Sequence, residues 1–234
     1  MEFMAPLSVA RNFRWSEHLL HGRSDRDREE IWMDGLPGVY QLISTRGSYV
    51  YLVTDPVPIL IDTGFPGRGK AIVQELQTIG LSVTEIQHIV ITHYDVDHIG
   101  NLAYLAEQSK ALVWWPQVDE PYILGDKLRP GIKRFIAKWV KTTLPDHYRS
   151  ISEGDHVGSL TAISSPGPTP GHLAYAGPGF IAVGDALVTK KGRIKPSPRI
   201  LSWDFGETRQ SAHKLLERGQ GLWILPAHGE PVHL

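Results

Sequence analysis

The stretch His88-Ile89-Val90-Ile91-Thr92-His93-Tyr94-Asp95-Val96-Asp97-His98-Ile99-Gly100 constrains this chain more than any other. Ile89 to Ile91 is an apolar β-branched run, which reads as a buried strand. Directly after it, His93-x-Asp95-x-Asp97-His98 sets two imidazoles and two carboxylates within six positions. A loop leaving a strand end can turn all four side chains onto one point. Imidazole and carboxylate together suit zinc, iron and manganese. The plainer reading is a polar loop that happens to be acidic. Random placement gives such a match with a probability on the order of 10⁻³, so the metal reading is preferred.

Composition narrows the setting. With 234 residues, 41% of them hydrophobic, 23 glycines and 17 prolines, the chain reads as one turn-rich globular domain. A net charge of −1 gives no reason to expect nucleic acid or an anionic membrane as partner. The absence of cysteine excludes disulfides, thiolate ligands and thiol nucleophiles. His, Asp and Glu are left to hold any transition metal. No apolar run approaches the length of a membrane span. Arg11, Arg14, Glu17 and His18 interrupt every candidate signal-peptide core, so a cytoplasmic protein is expected.

Along the chain, residues 1–30 have no clear period and are taken as an N-terminal arm, with 31–234 as the single domain. Val39 to Ile43, Tyr49 to Val53 and Ile59 to Ile61 read as strands. Lys70 to Ile79 is helical by its spacing and stops at Gly80. A helix from about Gly100 to Gln108 and a strand from Ala111 to Trp115 follow the central stretch. Residues 116–150 break the rhythm. Ile132, Phe135, Ile136, Trp139 and Val140 fall on one helical face there, either packed on the body or covering a cleft with aromatic walls. Thr161 to Ser165, Phe180 to Val183 and Leu222 to Leu225 read as strands. Phe205 to Arg218 reads as a helix capped by Asp204. Periodicity alone gives a mixed α/β chain.

Four further blocks accompany the central stretch: Asp62-Thr63-Gly64, Pro170-Gly171-His172, Gly184-Asp185 and Ala227-His228-Gly229. Together the five blocks resemble, in kind and order, the D-T-G, H-x-H-x-D-H, P-G-H, G-D and H-G motifs of the metallo-β-lactamase-fold hydrolases. The resemblance covers about Val39 to Pro231. Asp95 departs from it by standing where the commoner motif has its second histidine, as in a subgroup with H-x-D-x-D-H. The resemblance implies a four-layer αβ/βα sandwich with a helical insertion at 116–150. It also implies two divalent metal ions, zinc first and iron or manganese next. His93, Asp95 and His172 would hold one ion, and Asp97, His98 and His228 the second. Asp185 would bridge them, and Asp62 would support the metal loop through hydrogen bonds.

Two such ions can share a hydroxide, which attacks while Asp97 takes the released proton. The carboxylate of Asp95 adds a negative charge and a hard oxygen, which favours iron or manganese relative to an all-imidazole site. The expected activity is hydrolysis of an ester, lactone or thioester of a small molecule, lactonase-like in kind. Lactonases that open acyl-homoserine lactones carry a tyrosine three residues after the bridging aspartate, where this chain has Val188. Hydroxyacylglutathione hydrolases add a C-terminal helical domain, which the five residues after Gly229 do not supply. The alternative is an iron-dependent oxidoreductase, persulfide dioxygenase-like or oxygen reductase-like. A binding module with a degenerate site is disfavoured because all seven ligand positions hold competent residues. An apolar helical insertion could also serve as a homodimer surface. His88 is read as structural, and His147, His156, His213 and His233 as surface.

Overall fold

The computed structural model describes residues 35–54, 56–129 and 144–234. The expected arm at 1–30 and the apolar helical face from Ile132 to Val140 lie outside the described residues. The first half of the chain builds a six-stranded sheet in sequential order. Its strands are β1 (Val39–Leu42), β2 (Val50–Val53), β3 (Ile59–Ile61), β4 (His88–Val90), β5 (Leu112–Pro116) and β6 (Tyr148–Ile151). The first three are antiparallel, and β3 to β6 run parallel. Parallel neighbours need crossovers. Helix α1 (Gly69–Thr78) joins β3 to β4, and α2 (Leu102–Ser109) joins β4 to β5. A short α3 (Glu120–Leu124) follows β5. Within 116–150 the described part is therefore not all helical: Tyr148 begins the edge strand of the sheet.

The second half adds β7 (His156–Val157), β8 (Leu160–Ser164), β9 (Leu173–Gly177), β10 (Phe180–Gly184), β11 (Leu187–Lys190) and β12 (Arg193–Pro196). Helix α4 (Phe205–Arg218), β13 (Trp223–Pro226) and β14 (Val232–His233) complete it. The second sheet runs β14-β13-β10-β9-β8-β7, while β11 and β12 form a separate hairpin.

The apolar runs explain the layering. Ile59, Ile61 and Val90 turn into a central core with Leu160, Leu173, Tyr175, Phe180, Ala182 and Leu225 of the other sheet. The alternate residues, Leu60 and Ile89, pack outward against Ile72, Leu76, Leu102 and Leu105 of α1 and α2. On the far side, Ile181, Val183 and Ile224 meet Ala212 and Leu215 of α4. Strands buried on both faces need no polar alternation, which is why β3, β4 and β10 read as continuous hydrophobic runs. Each buried Ile or Leu contributes about 1.5–3 kcal/mol relative to exposure. The result is helix, sheet, sheet, helix: the αβ/βα sandwich.

Helix ends follow local chemistry. The Asp204 carboxylate accepts from Glu207 N at 3.0 Å, capping α4 where expected. Gly69 opens α1 against Tyr104, where a Cβ would lie 2.4 Å from the ring. No helix of the described residues is long and apolar enough to cross a membrane.

Candidate metal centre

The candidate ligands lie on one rim, where the two sheets meet: His93, Asp95, Asp97 and His98 follow β4, Asp185 follows β10, His228 follows β13, and His172 immediately precedes β9. Asp62 follows β3 with φ at +65°, a left-handed conformation that costs about 1–2 kcal/mol for a residue with a side chain. Its carboxylate repays this by organising the loop after β4. Oδ1 accepts from Thr92 N at 2.8 Å, and Oδ2 accepts from Thr92 Oγ1 and His98 Nδ1, each at 2.8 Å. Thr63 donates from N and from Oγ1 to His98 O, both at 2.7 Å. Asn101 Nδ2 donates to Thr63 O and Phe65 O, and its Oδ1 accepts from Gly69 N. Gly100 closes the loop where a Cβ would lie 2.4 Å from Pro66 N and 2.5 Å from Gly64 O. The D-T-G block and the H-x-D-x-D-H loop are thus one hydrogen-bonded unit.

The other ligands come from the second sheet. His172 leaves the Pro-rich loop 166–171 and immediately precedes β9, whose Leu173 N donates to Thr92 O at 2.9 Å. Gly184 ends β10 with φ at +49°, and a Cβ there would lie 2.7 Å from His172 Nε2. Glycine is required at that point, directly before Asp185. His228 follows β13, and its Nδ1 bonds to Gly47 O across the seam between the sheets.

The imidazole partners fix one tautomer throughout. Gly47 O can only accept, so His228 carries its proton on Nδ1. Asp62 accepts from His98 Nδ1. Thr92 Oγ1 donates to Asp62 and so accepts from His93 Nδ1 at 3.0 Å. His172 Nε2 accepts from Asp185 N at 3.0 Å, which leaves Nδ1 to donate to Ser165 Oγ at 2.8 Å. These assignments follow from partner chemistry. His93, His98 and His228 therefore direct an Nε2 lone pair inward, as metal-ligating histidines do, while that of His172 meets Asp185 N–H.

The inward atoms converge. His93 Nε2 lies 3.2 Å from Asp95 Oδ2 and 3.7 Å from Asp185 Oδ2. His98 Nε2 lies 3.3 Å from Asp185 Oδ1 and 3.7 Å from Asp97 Oδ2. His228 Nε2 lies 3.1 Å from Asp185 Oδ1 and 3.3 Å from Asp97 Oδ2. Two clusters meet the spacing of a cation site among the described residues: His93, His98 and Asp185, and Asp97, His98 and His228. Asp185 touches both groups of histidines through its two oxygens. Asp95 adjoins the first cluster, and His172 stands beside His93 with ring centroids 4.9 Å apart.

The arrangement fits a bound cation. His93 Nε2, His98 Nε2 and Asp185 Oδ1 are buried and have no hydrogen-bond partner. Lone pairs facing carboxylates repel, and an unsatisfied buried polar atom is costly. A metal ion satisfies all three. The electrostatics agree. Burial pushes His98 down, but Asp62, Asp97 and Asp185 overcome it and raise its pKa well above the usual imidazole value. His228, likewise opposed by burial, is carried up to about 10, chiefly by Asp185. Burial raises Asp185, yet His228 and His98 hold it well below the usual carboxylate range. Without a metal the carboxylates recruit protons onto these rings; a cation takes the protons' place.

Three placements lie outside the sequence reading. Asp119, between β5 and α3, is fully buried, and its Oδ1 and Oδ2 accept from Gly171 N and Thr169 Oγ1, each at 2.7 Å. No local pattern marks it, because its partners lie 50 and 52 residues away. Tyr94 packs on Tyr122 at 5.0 Å, and the Arg129 guanidinium lies 5.3 Å over the Tyr94 ring. Phe65 and Val118 expose 40% and 59% of their surface, the first beside Gly47, whose carbonyl meets His228, the second beside Gly171, which precedes His172. Of the histidines read as structural or surface, His88 accepts from Trp114 Nε1 at 3.3 Å. His147, His156, His213 and His233 are exposed.

Comparison with known proteins agrees with this geometry. The profile of the metallo-beta-lactamase superfamily matches residues 44–228. The Bacillus subtilis protein YobT is 32% identical over 198 residues, covering 77% of this chain and 82% of that protein. A hydroxyacylglutathione hydrolase of Idiomarina loihiensis is 29% identical over 133 residues, 55% of this chain but only 41% of that enzyme. Among solved structures, TTHA1623 in a di-iron-bound form superposes with a TM-score of 0.64 at 26% identity, covering 79% of this chain and 89% of that one.

Proposed function

The chain belongs to the metallo-β-lactamase superfamily, and we propose that it is a two-metal hydrolase of the H-x-D-x-D-H kind that cleaves an ester, lactone or thioester of a small molecule. The observation that carries this reading is the set of orphaned, buried Nε2 and Oδ1 atoms converging on one point. His93, Asp95 and His172 would hold one ion, Asp97, His98 and His228 the other, with Asp185 between them. Such a pair of ions supplies hydroxide at neutral pH and a Lewis acid for the developing oxyanion.

The protein's own residues prepare the rest. Ser48 Oγ donates to Asp97 O at 2.8 Å, fixing the backbone beneath the Asp97 carboxylate. That carboxylate is partly exposed, and we assign it the proton released on attack. Its pKa is pushed up by burial, yet His98 and His228 keep it below the ordinary carboxylate value, so it stays ionised. Phe65 and Val118 are exposed, Tyr122 is half-buried under Lys127, and Arg129 stands over the buried Tyr94 ring, a partly apolar and basic surface that suits a small acyl compound. The relative that acts on hydroxyacylglutathione, an acyl group carried on a thiol, favours the same reaction class. Zinc is the first candidate metal. The Asp95 oxygen and the di-iron neighbour support iron or manganese as the next.

Elemental analysis of the purified protein, joined to a panel of lactones, esters and thioesters, tests the reading. About two equivalents per chain with turnover of one class supports it. One equivalent of iron, with oxygen consumed and no hydrolysis, would replace it by the oxidoreductase reading.

A further inference from the structure

Asp119 lies outside the ligand set, yet it is built into the site's support. Its base is rigid: Asp119 N donates to Pro116 O at 3.0 Å, Gln117 N donates to Ile151 O at 3.0 Å, and Trp115 Nε1 donates to Glu120 Oε2 at 3.0 Å. The corner after β5 is thereby tied to the sheet. The loop it grips, Pro166-Gly167-Pro168-Thr169-Pro170-Gly171, has three prolines and correspondingly few N–H groups. Of the donors left, Gly171 N–H gives its hydrogen bond to Asp119, one residue before His172. Thr169, fully buried, gives its hydroxyl to the other oxygen. The approach leaves no slack, because a Cβ on Gly171 would lie 2.6 Å from Asp119 N and 2.9 Å from Val118 Cβ.

A carboxylate is a costly choice for this task. Both donors are neutral, and burial pushes its pKa up to about 6 against the hydrogen bonds from Thr169 and Gly171. An amide or hydroxyl could accept from the same groups without a buried charge. Of the charges that act on it, His93 lowers its pKa and Asp95 raises it.

We infer that Asp119 is a positioning residue for the metal held by His93, Asp95 and His172: it fixes the loop that presents His172 and adds negative charge behind that half of the centre. This rests on the two-metal reading above. It gives Asp119 no contact with substrate.

The test uses full-length protein with cobalt(II) as the probe ion. Chelator competition and the visible cobalt spectrum are recorded for the wild type, Asp119→Ala and Asp119→Asn. His172→Ala and His228→Ala serve as references for the two halves, and the melting of each metal-free protein is followed in parallel. Outer groups that orient ligands are typically worth 10–100-fold in metal affinity. Asp119→Ala is expected to weaken one of the two ions by that factor, with a spectrum like that of His172→Ala. Asp119→Asn keeps an acceptor for Gly171 N–H but not the charge, and is expected to fall between. Equal weakening of both ions that merely tracks lowered melting would overturn the inference, as would two ions held with wild-type affinity in both variants. A wild type that binds no cobalt would sink the two-metal reading and this inference together.

Discussion

Asparagine in place of Asp62 exchanges one carboxylate oxygen for an amide NH2 in a nearly isosteric frame. Oδ1 can keep Thr92 N and Thr92 Oγ1 as donors, at 2.8 and 3.0 Å. The NH2 then faces His98 Nδ1, 2.8 Å from the present oxygen. Two donors cannot share that contact. The imidazole escapes by moving its proton to Nε2, which turns an N–H toward Asp97 and Asp185 and removes the lone pair from the cation site. If the amide flips instead, Thr92 N–H loses its acceptor, and an unsatisfied buried donor costs about 1–3 kcal/mol. At about 1.4 kcal/mol per factor of ten, a penalty of that size on the tautomer route weakens the ion beside His98 by roughly 10–100-fold, whereas the flipped amide lowers stability and leaves the His98 lone pair in place. That range matches the usual effect of groups that orient ligands. Chelator competition reads the affinity, and imidazole ¹⁵N shifts read the tautomer of His98. Two ions held as tightly as in the wild type, with His98 still protonated on Nδ1, would refute the tautomer argument.

Asp95→His removes a negative charge and a hard ligand; two ions should remain, with competition shifted toward zinc, and an unchanged metal preference would count against the role given to Asp95. Gly184→Ala places a Cβ 2.7 Å from His172 Nε2 in a left-handed conformation; metal content should fall below two equivalents and stability by about 1–2 kcal/mol, read by elemental analysis and denaturant melts. In chelator-treated protein, His228 titrates at about 10 and His98 well above its ordinary value of 6.5. Folded values raised above unfolded ones give stability that is complete below pH 6.5 and lost as pH climbs toward 10. Urea midpoints of the metal-free protein should therefore fall between pH 6.5 and 10, and a flat profile would contradict the assigned field of Asp62, Asp97 and Asp185.

How much was legible in the sequence follows from where each signal lives. The runs at β3, β4 and β10 are buried on both faces, so their strand character survives in composition alone. Helix α4 announces itself by Asp204 and by its buried stripe, and its bounds agree with those expected. By contrast, β6 is an edge strand whose Tyr148, Arg149 and Ser150 are exposed, so no apolar alternation marks it. Strand β9 holds Ala174, Ala176 and Gly177, small residues that signal little by propensity. The hairpin of β11 and β12 did leave a trace in Lys191-Gly192, both at positive φ. The ligand candidates were readable because four crowd one loop and the rest follow Pro-Gly, Gly or Ala at strand ends. The common tautomer and the grip of Asp119 were not, since Gly47, Ser165, Thr169 and Gly171 become partners only through contacts between distant segments.

The bond from His228 to Gly47 joins the second sheet to the first at the rim of the site. His93, Asp95, Asp97 and His98 are carried by one sheet, and His172, Asp185 and His228 by the other. An ion held between them is therefore a rivet through two plates, and its binding energy adds directly to the cohesion of the halves. Loading should make unfolding more cooperative as well as later, and a partly opened sandwich should shed its metal before it loses either sheet.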